Sequence, residues 1–108
     1  MERLDGVLVA RAEGQLDNTS APEFMDALKA EFGSGERALV LDLEGLSYIG
    51  SAGLRIVLLL AKDLRERDLP FVVCSLGPPI LEVFRISGFD RMLTIHPDRD
   101  TALAAVQD

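Results

Sequence analysis

The stretch Ala38-Leu39-Val40-Leu41-Asp42-Leu43-Glu44-Gly45-Leu46-Ser47-Tyr48-Ile49-Gly50-Ser51-Ala52-Gly53-Leu54-Arg55 runs from an apolar segment, through a loop holding two glycines, into a serine that starts a long apolar pattern. Strands covered on both faces read as near-continuous apolar runs, so residues 38–43 predict a central strand. Gly45 and Gly50 mark the ends of a loop. Ser51 then opens a helix with a predicted core stripe of Leu54, Val57, Leu58, Ala61 and Leu64, ended by Asp68 and Pro70. A strand feeding a helix in this way is half of an α/β unit.

The flanking segments extend the alternation. Upstream, Val7-Leu8-Val9-Ala10 is a β-type run, and Asp5-Gly6 before it lets residues 2–4 return as a hairpin. Strand character fades through Arg11-Ala12-Glu13 to Gly14. Ser20-Ala21-Pro22-Glu23 predicts a helix start with Ser20 as cap and Glu23 reaching back. Phe24, Leu28 and Phe32 share one face of that helix, which Gly33-Ser34-Gly35 stops. Downstream, Phe71-Val72-Val73-Cys74 predicts a second buried strand, with a helix over residues 79–87 and Gly88 as its stop. Met92 to Ile95 predicts a short strand, and Pro97-Asp98 introduces a last helix. The order β-β-α-β-α-β-α-β-α implies a mixed, mostly parallel sheet of four to five strands packed with about four helices.

A chain of 108 residues with 48% hydrophobic content fits one domain, expected over residues 1–108. It carries 11 basic and 18 acidic side chains, a formal charge of −7, and a pI near 4.6. Phosphate contacts need a basic footprint, so nucleic acid is not an expected partner. The acidity is lopsided: residues 1–54 hold 10 acids and 4 bases, residues 55–108 hold 8 and 7. The longest unbroken apolar run, Ile56 to Ala61, is far short of a bilayer span, and no signal-peptide layout opens the chain. The expectation is a soluble, cytoplasmic protein without direct membrane insertion. Cys74, the single cysteine, reads as a buried and inert thiol.

An enzyme is not expected. His96 is the one histidine; next to Pro97 it reads as a surface turn residue, and without it no Ser/His/Asp or Cys/His arrangement can be built. No ligand cluster at metal spacing occurs, and Gly50-Ser51-Ala52-Gly53 lacks the lysine of a phosphate-binding loop. No cofactor is expected. A phospho-acceptor receiver would need an acidic pair and a late lysine besides Asp42, and no lysine follows Lys62.

The stretch Leu41 to Arg55 closely resembles the signature of the STAS domain family, the sulfate-transporter and anti-sigma-factor-antagonist fold. Gly14-Gln15-Leu16-Asp17-Asn18-Thr19-Ser20-Ala21 is similar to the family's loop before its first helix. Phe71 to Cys74 with Gly77-Pro78, and Phe84-Arg85-Ile86-Ser87-Gly88-Phe89, fit its later strand and helix end. The size resembles the bacterial anti-sigma factor antagonists in particular. In those, the serine opening the helix after the central strand is phosphorylated, and by motif that position is Ser51. The resemblance implies a partner that is an anti-sigma factor with serine kinase activity, and a metal-dependent serine phosphatase that reverses the modification. Here Gly50 stands where many members have Asp or Ser, and Ala52 leaves no second hydroxyl.

Residue chemistry at Ser51 admits two readings. A serine at a helix start can cap it, and losing such a cap costs about 0.5–2 kcal/mol. A phosphate there is also well tolerated beside the free backbone N–H groups. Ser51, Arg55, Leu59, Lys62 and Glu66 fall on one stripe beside the core, which makes Leu59 a candidate anchor. Asp17, at a strand end, is expected beside the Ser51 loop. The candidate partner surface comprises Asp17, Asn18, Thr19, Gly50, Ser51, Ala52, Gly53, Arg55, Leu59 and Lys62, with Tyr48 packing at the loop. The alternative is a stand-alone STAS subunit of a lipid-transporting ABC system, with a permanent contact and no phosphorylation.

Overall fold

The computed structural model describes residues 1–33 and 35–107; Ser34, in the predicted helix stop, lies outside them. The chain runs β1 (Glu2–Leu4), β2 (Val7–Arg11), β3 (Gly14–Leu16), α1 (Ser20–Glu31), β4 (Ala38–Asp42), β5 (Leu46–Ile49) and α2 (Ser51–Glu66). It continues with β6 (Phe71–Cys74), α3 (Pro78–Ile86), a 3₁₀ turn at Phe89–Arg91, β7 (Thr94–His96) and α4 (Arg99–Val106). Five strands form one sheet in the order β1-β2-β4-β6-β7. Only the β1–β2 pair is antiparallel. Asp5 and Gly6 make its turn with φ of 53° and 83°, as a two-residue hairpin requires.

β4 is the middle strand and is buried from Ala38 to Asp42, as its unbroken apolar run predicts. Its side chains alternate between two cores. Leu39 and Leu41, with Leu8, Ala10 and Val73, face α1, α2 and α3; Val40, with Val7, Val9, Val72 and Cys74, faces Ala102 and Val106 of α4. Covering both faces is what makes these strands apolar at nearly every position, Arg11 and Asp42 at their ends excepted.

Several local features depart from the sequence reading. The predicted loop over 44–50 contains β5, which pairs in parallel with β3 as a separate two-stranded sheet. Leu46 and Ile49 are buried while Ser47 and Tyr48 are exposed, so these four residues show no regular alternation. Their partner strand lies about thirty residues upstream. On α2 the buried residues are Gly53, Ile56, Val57, Leu60 and Leu64, whereas Leu58 is 38% exposed and Leu54 and Ala61 are half-buried. Six consecutive apolar residues offer more than one helical stripe, and the stripe used is set by Gly53. A Cβ there would stand 2.7 Å from Ile49 Cγ1 and 2.8 Å from the Leu16 carbonyl oxygen, so the helix backbone rests directly on β3 and β5.

The start of α1 also differs. Ser20 is its first residue rather than an isolated cap, and its partner is Asp17, not Glu23. Asp17 Oδ1 accepts from the Ser20 and Thr19 backbone N–H groups at 2.9 and 3.0 Å, and Ser20 Oγ accepts from Asp17 N–H at 3.0 Å. At the other end of the chain, Gly88 at φ 81° turns into the 3₁₀ segment, which displaces β7 to Thr94–His96. His96 is therefore a half-buried strand residue opposite Cys74, not a surface turn residue, and its Nε2 is buried without a hydrogen-bond partner among the described residues.

Cys74 is fully buried, and burial pushes its thiol above the ordinary range. A thiol reagent is expected to leave the native protein unlabelled and to modify one cysteine once denaturant is added; rapid labelling of the folded chain would contradict this.

Candidate functional site around Ser51

Ser51 is the first residue of α2 and is exposed. Gly50 precedes the helix in extended conformation, with φ −99° and ψ −174°, and its carbonyl accepts the Leu54 N–H at 3.0 Å. The capping position is thus filled by a residue with no side chain. Among the described residues the Ser51 hydroxyl has no hydrogen-bond partner. It sits beside backbone N–H groups that the first turn leaves unpaired. Replacing Ser51 by Ala is accordingly expected to change stability by less than about 0.5 kcal/mol, below the cost of losing a cap.

The β3–β5 pair brings the second loop to this point. Leu16 pairs with Ile49, and Gly50 N–H donates to the Leu16 carbonyl at 2.9 Å. Asp17-Asn18-Thr19 therefore leaves β3 next to Gly50. Asn18 and Thr19 are exposed. Asp17 is not an idle surface acid: the backbone N–H groups of Thr19 and Ser20 both donate to its Oδ1, while the Ser20 hydroxyl, 3.1 Å from that oxygen, makes its shorter contact of 2.6 Å with the Gln15 carbonyl. The Ser20 backbone N–H, then that of Thr19, holds its carboxyl below the usual range.

A carboxyl depressed in the folded state contributes stability above its unfolded pKa and loses it as the pH falls through the folded value. Asp17→Ala is therefore expected to lower Tm at neutral pH, with the gap to wild type narrowing below about pH 4. Thermal melts across pH check this; a gap that persists unchanged at pH 2 would contradict it.

Tyr48 is 51% exposed, and its phenol stands over Gly50: a Cβ on Gly50 would lie 3.1 Å from the Tyr48 hydroxyl oxygen. The missing side chain before Ser51 thus makes room for this ring. The ring packs at the loop as expected. Gly53 presents no surface, being buried against Leu16 and Ile49.

Along α2, Arg55, Leu59 and Lys62 are exposed on the Ser51 side of the helix. Neither Arg55 nor Lys62 has an ion-pair partner among the described residues. Leu59 is 44% exposed and lies where two hollows between α1 and α2 meet. One, of about 360 Å³, runs past Ala21, Pro22, Ala52 and Arg55; the other, of about 460 Å³, runs past Phe32, Leu60 and Arg67. Met25 lines both. The two hollows together form a trough between α1 and α2 that Arg55 and Leu59 help to line, and Ser51 and Lys62 lie on the same exposed helix face without lining it.

Asp42 is the one charged residue fully buried among those described, and its Oδ1 accepts the Glu44 N–H at 3.0 Å. It turns the chain out of β4 and does not reach the Ser51 surface. Among the described residues no cluster suited to hold a metal ion occurs, and no helix is long and apolar enough to cross a membrane.

The family model for the STAS domain matches residues 1–102. "Putative anti-sigma factor antagonist BtrV" of Bordetella bronchiseptica is 44% identical over 105 residues, 97% of this chain and 90% of that one. The anti-sigma F factor antagonist of Paenibacillus polymyxa is 29% identical over 99% of this chain and 92% of its own. Among solved structures, an anti-sigma factor antagonist from Mycobacterium paratuberculosis superimposes with a TM-score of 0.90 at 33% identity, covering 99% of this chain and 91% of that one. An exposed serine opening the helix after the central strand, on a five-stranded mixed sheet, thus coincides with a match over nearly the whole length: this chain belongs to the STAS domain family.

Proposed function

We propose that this chain is an anti-sigma factor antagonist, a single cytoplasmic STAS domain over residues 1–108 that catalyses nothing and serves as a switch. Unphosphorylated, it binds an anti-sigma factor that is also a serine kinase, and the sigma factor is released. The kinase transfers the γ-phosphoryl group of ATP to Ser51 Oγ, ADP leaves, and the hydroxyl proton passes to the kinase or solvent. A metal-dependent serine phosphatase restores the free hydroxyl. The observation that carries the reading is the exposed, unbonded Ser51 hydroxyl at the start of α2, a helix that Gly50 already caps.

The surface around it suits a partner that discriminates between the two forms. Asn18 and Thr19 lie to one side of Ser51, and Arg55, Leu59 and Lys62 continue along the helix. Asp17 holds the first loop in place, Gly50 and Ala52 leave the hydroxyl uncrowded, and Gly53 seats the helix. A phosphate adds about −1.5 to −2 charge at the middle of this surface. It would repel an acidic partner patch and would desolvate poorly in a packed contact. A switch requires only that the partner's affinities for the two forms differ.

The test is incubation with Mg-ATP and a serine kinase of the anti-sigma type from the same genome, followed by mass spectrometry. One phosphate on Ser51 and none on Ser51→Ala is the expected result. A phosphate on Ser47 or Thr19 would refute the site. Purification from cells bound to a membrane ATPase, with Ser51 unmodified, would support the ABC-transporter reading instead.

A further inference from the structure

We propose that Arg55 is the intramolecular counter-charge for the phosphate on Ser51, so that modification removes a cation from the partner-facing stripe as it adds negative charge. The inference rests on the reading of Ser51 as a phosphorylation site and names how that site is regulated. Ser51 and Arg55 are four residues apart on α2, both exposed, and so neighbours on one face. Helical side chains lean toward the N-terminus, which directs the Arg55 guanidinium back over the first turn, where Ser51 stands. An acid one turn N-terminal to a base is also the favourable order along the helix.

Arg55 is available for this role. Several other arginines are in ion pairs: Arg3 with Glu31 and Glu36, Arg11 with Glu13 and Glu44, Arg67 with Asp63, Arg85 with Glu82, and Arg99 with Glu2. Arg65, in the last turn of α2, and Arg91, in the 3₁₀ turn, have none among the described residues but are far along the chain from Ser51. Arg55 has no such partner among the described residues. Asp26 of α1 borders the same hollow, without an ion pair to Arg55. A guanidinium can take two phosphate oxygens at once, and a phosphate presents three, so the modified serine outcompetes a lone carboxylate for it. Before modification, Arg55 and Lys62 flank Leu59 as two free cations and fit an acidic patch on the partner. After modification, Arg55 is turned back onto its own helix. One transfer thus changes the surface twice. A carboxylate at position 51 carries a single charge on a shorter arm and reproduces the effect only in part.

The pairing can be measured without a kinase. Phosphoserine is placed at position 51 during translation, and its second ionisation is followed by ³¹P NMR in the otherwise wild-type chain, in Arg55→Gln and in Arg55→Lys. Pairing predicts a phosphate pKa about half a unit higher in Arg55→Gln than in wild type, with Arg55→Lys between them. High salt should shrink the difference. The Arg55 Nε–H resonance should also shift on phosphorylation and not on Ser51→Ala. Equal phosphate pKa values in wild type and Arg55→Gln, with an unmoved Arg55 resonance, would overturn the pairing. The kinase experiment above bears on the function alone, so the two can fail separately.

Discussion

Leu59→Asp is expected to weaken binding to the anti-sigma partner by roughly 30-fold or more, as about 2 kcal/mol implies, while leaving the domain folded. Leu59 is a large apolar side chain, 44% exposed, at the junction of the two hollows between α1 and α2. If the partner covers this trough, aspartate places an uncompensated charge in a desolvated contact, at a cost of about 2 kcal/mol or more. That is roughly a 30-fold loss of affinity. The substitution lies beside Asp26 and Asp63, which border the same hollows and add repulsion. Stability should hold, because the buried residues of α2 are Gly53, Ile56, Val57, Leu60 and Leu64. Titration calorimetry with the partner, run alongside thermal melts, checks both halves. Unchanged affinity would put the interface elsewhere, and unfolding would put Leu59 in the core.

Ser51→Asp should weaken the same contact less completely than phosphorylation does, since one carboxylate carries less charge than a phosphate. Ser51→Ala should bind as the unmodified protein and resist modification.

The largest expected loss of stability comes from the smallest change, Gly53→Ala. The added methyl would sit 2.7 Å from Ile49 Cγ1, 2.8 Å from Leu16 O and 2.9 Å from Leu16 Cβ. Ile49 could shift its side chain, but the Leu16 contact is backbone, and that backbone accepts the Gly50 N–H. The helix must therefore lift off β3 and β5. Overpacking of this kind costs about 1–3 kcal/mol. For a domain of this size each kcal/mol lowers Tm by roughly 4–8 °C. The displacement also moves Ser51, two residues away, so phosphorylation should slow along with the drop in Tm. A melt equal to wild type would show that the helix does not rest on Leu16 as described. At Gly50→Ala the nearest atoms belong to the movable Tyr48 ring, at 3.1 Å and beyond, and the change should cost less.

Much of the architecture is legible in the residues. The run from Ala38 to Leu43 admits little except a strand covered on both sides, because every position is apolar apart from Asp42. Ser51 stands out by the glycines and small residues around it, and its motif marks the site. β5 is illegible from local pattern: Leu46 to Ile49 has no period, and its pairing with Gly14–Leu16 depends on a strand far away in the chain. That pairing nevertheless brings the Asp17 loop next to Ser51.

Sequence by itself therefore determined the α/β alternation, the central strand, the buried thiol and the helix that begins at Ser51, since each follows from apolar periodicity and turn residues within a short window. Tertiary structure alone decided which stripe of α2 faces inward, who caps what, and where His96 lies. Six apolar residues in a row leave the rotation of α2 open, and the Gly53 contact with Leu16 and Ile49 closes it. Ser20, Asp17 and Gly50 are all plausible caps in isolation, and their roles follow from hydrogen bonds that only the docked loops can make. With Gly50 as the cap, the Ser51 hydroxyl is left unbonded at the surface.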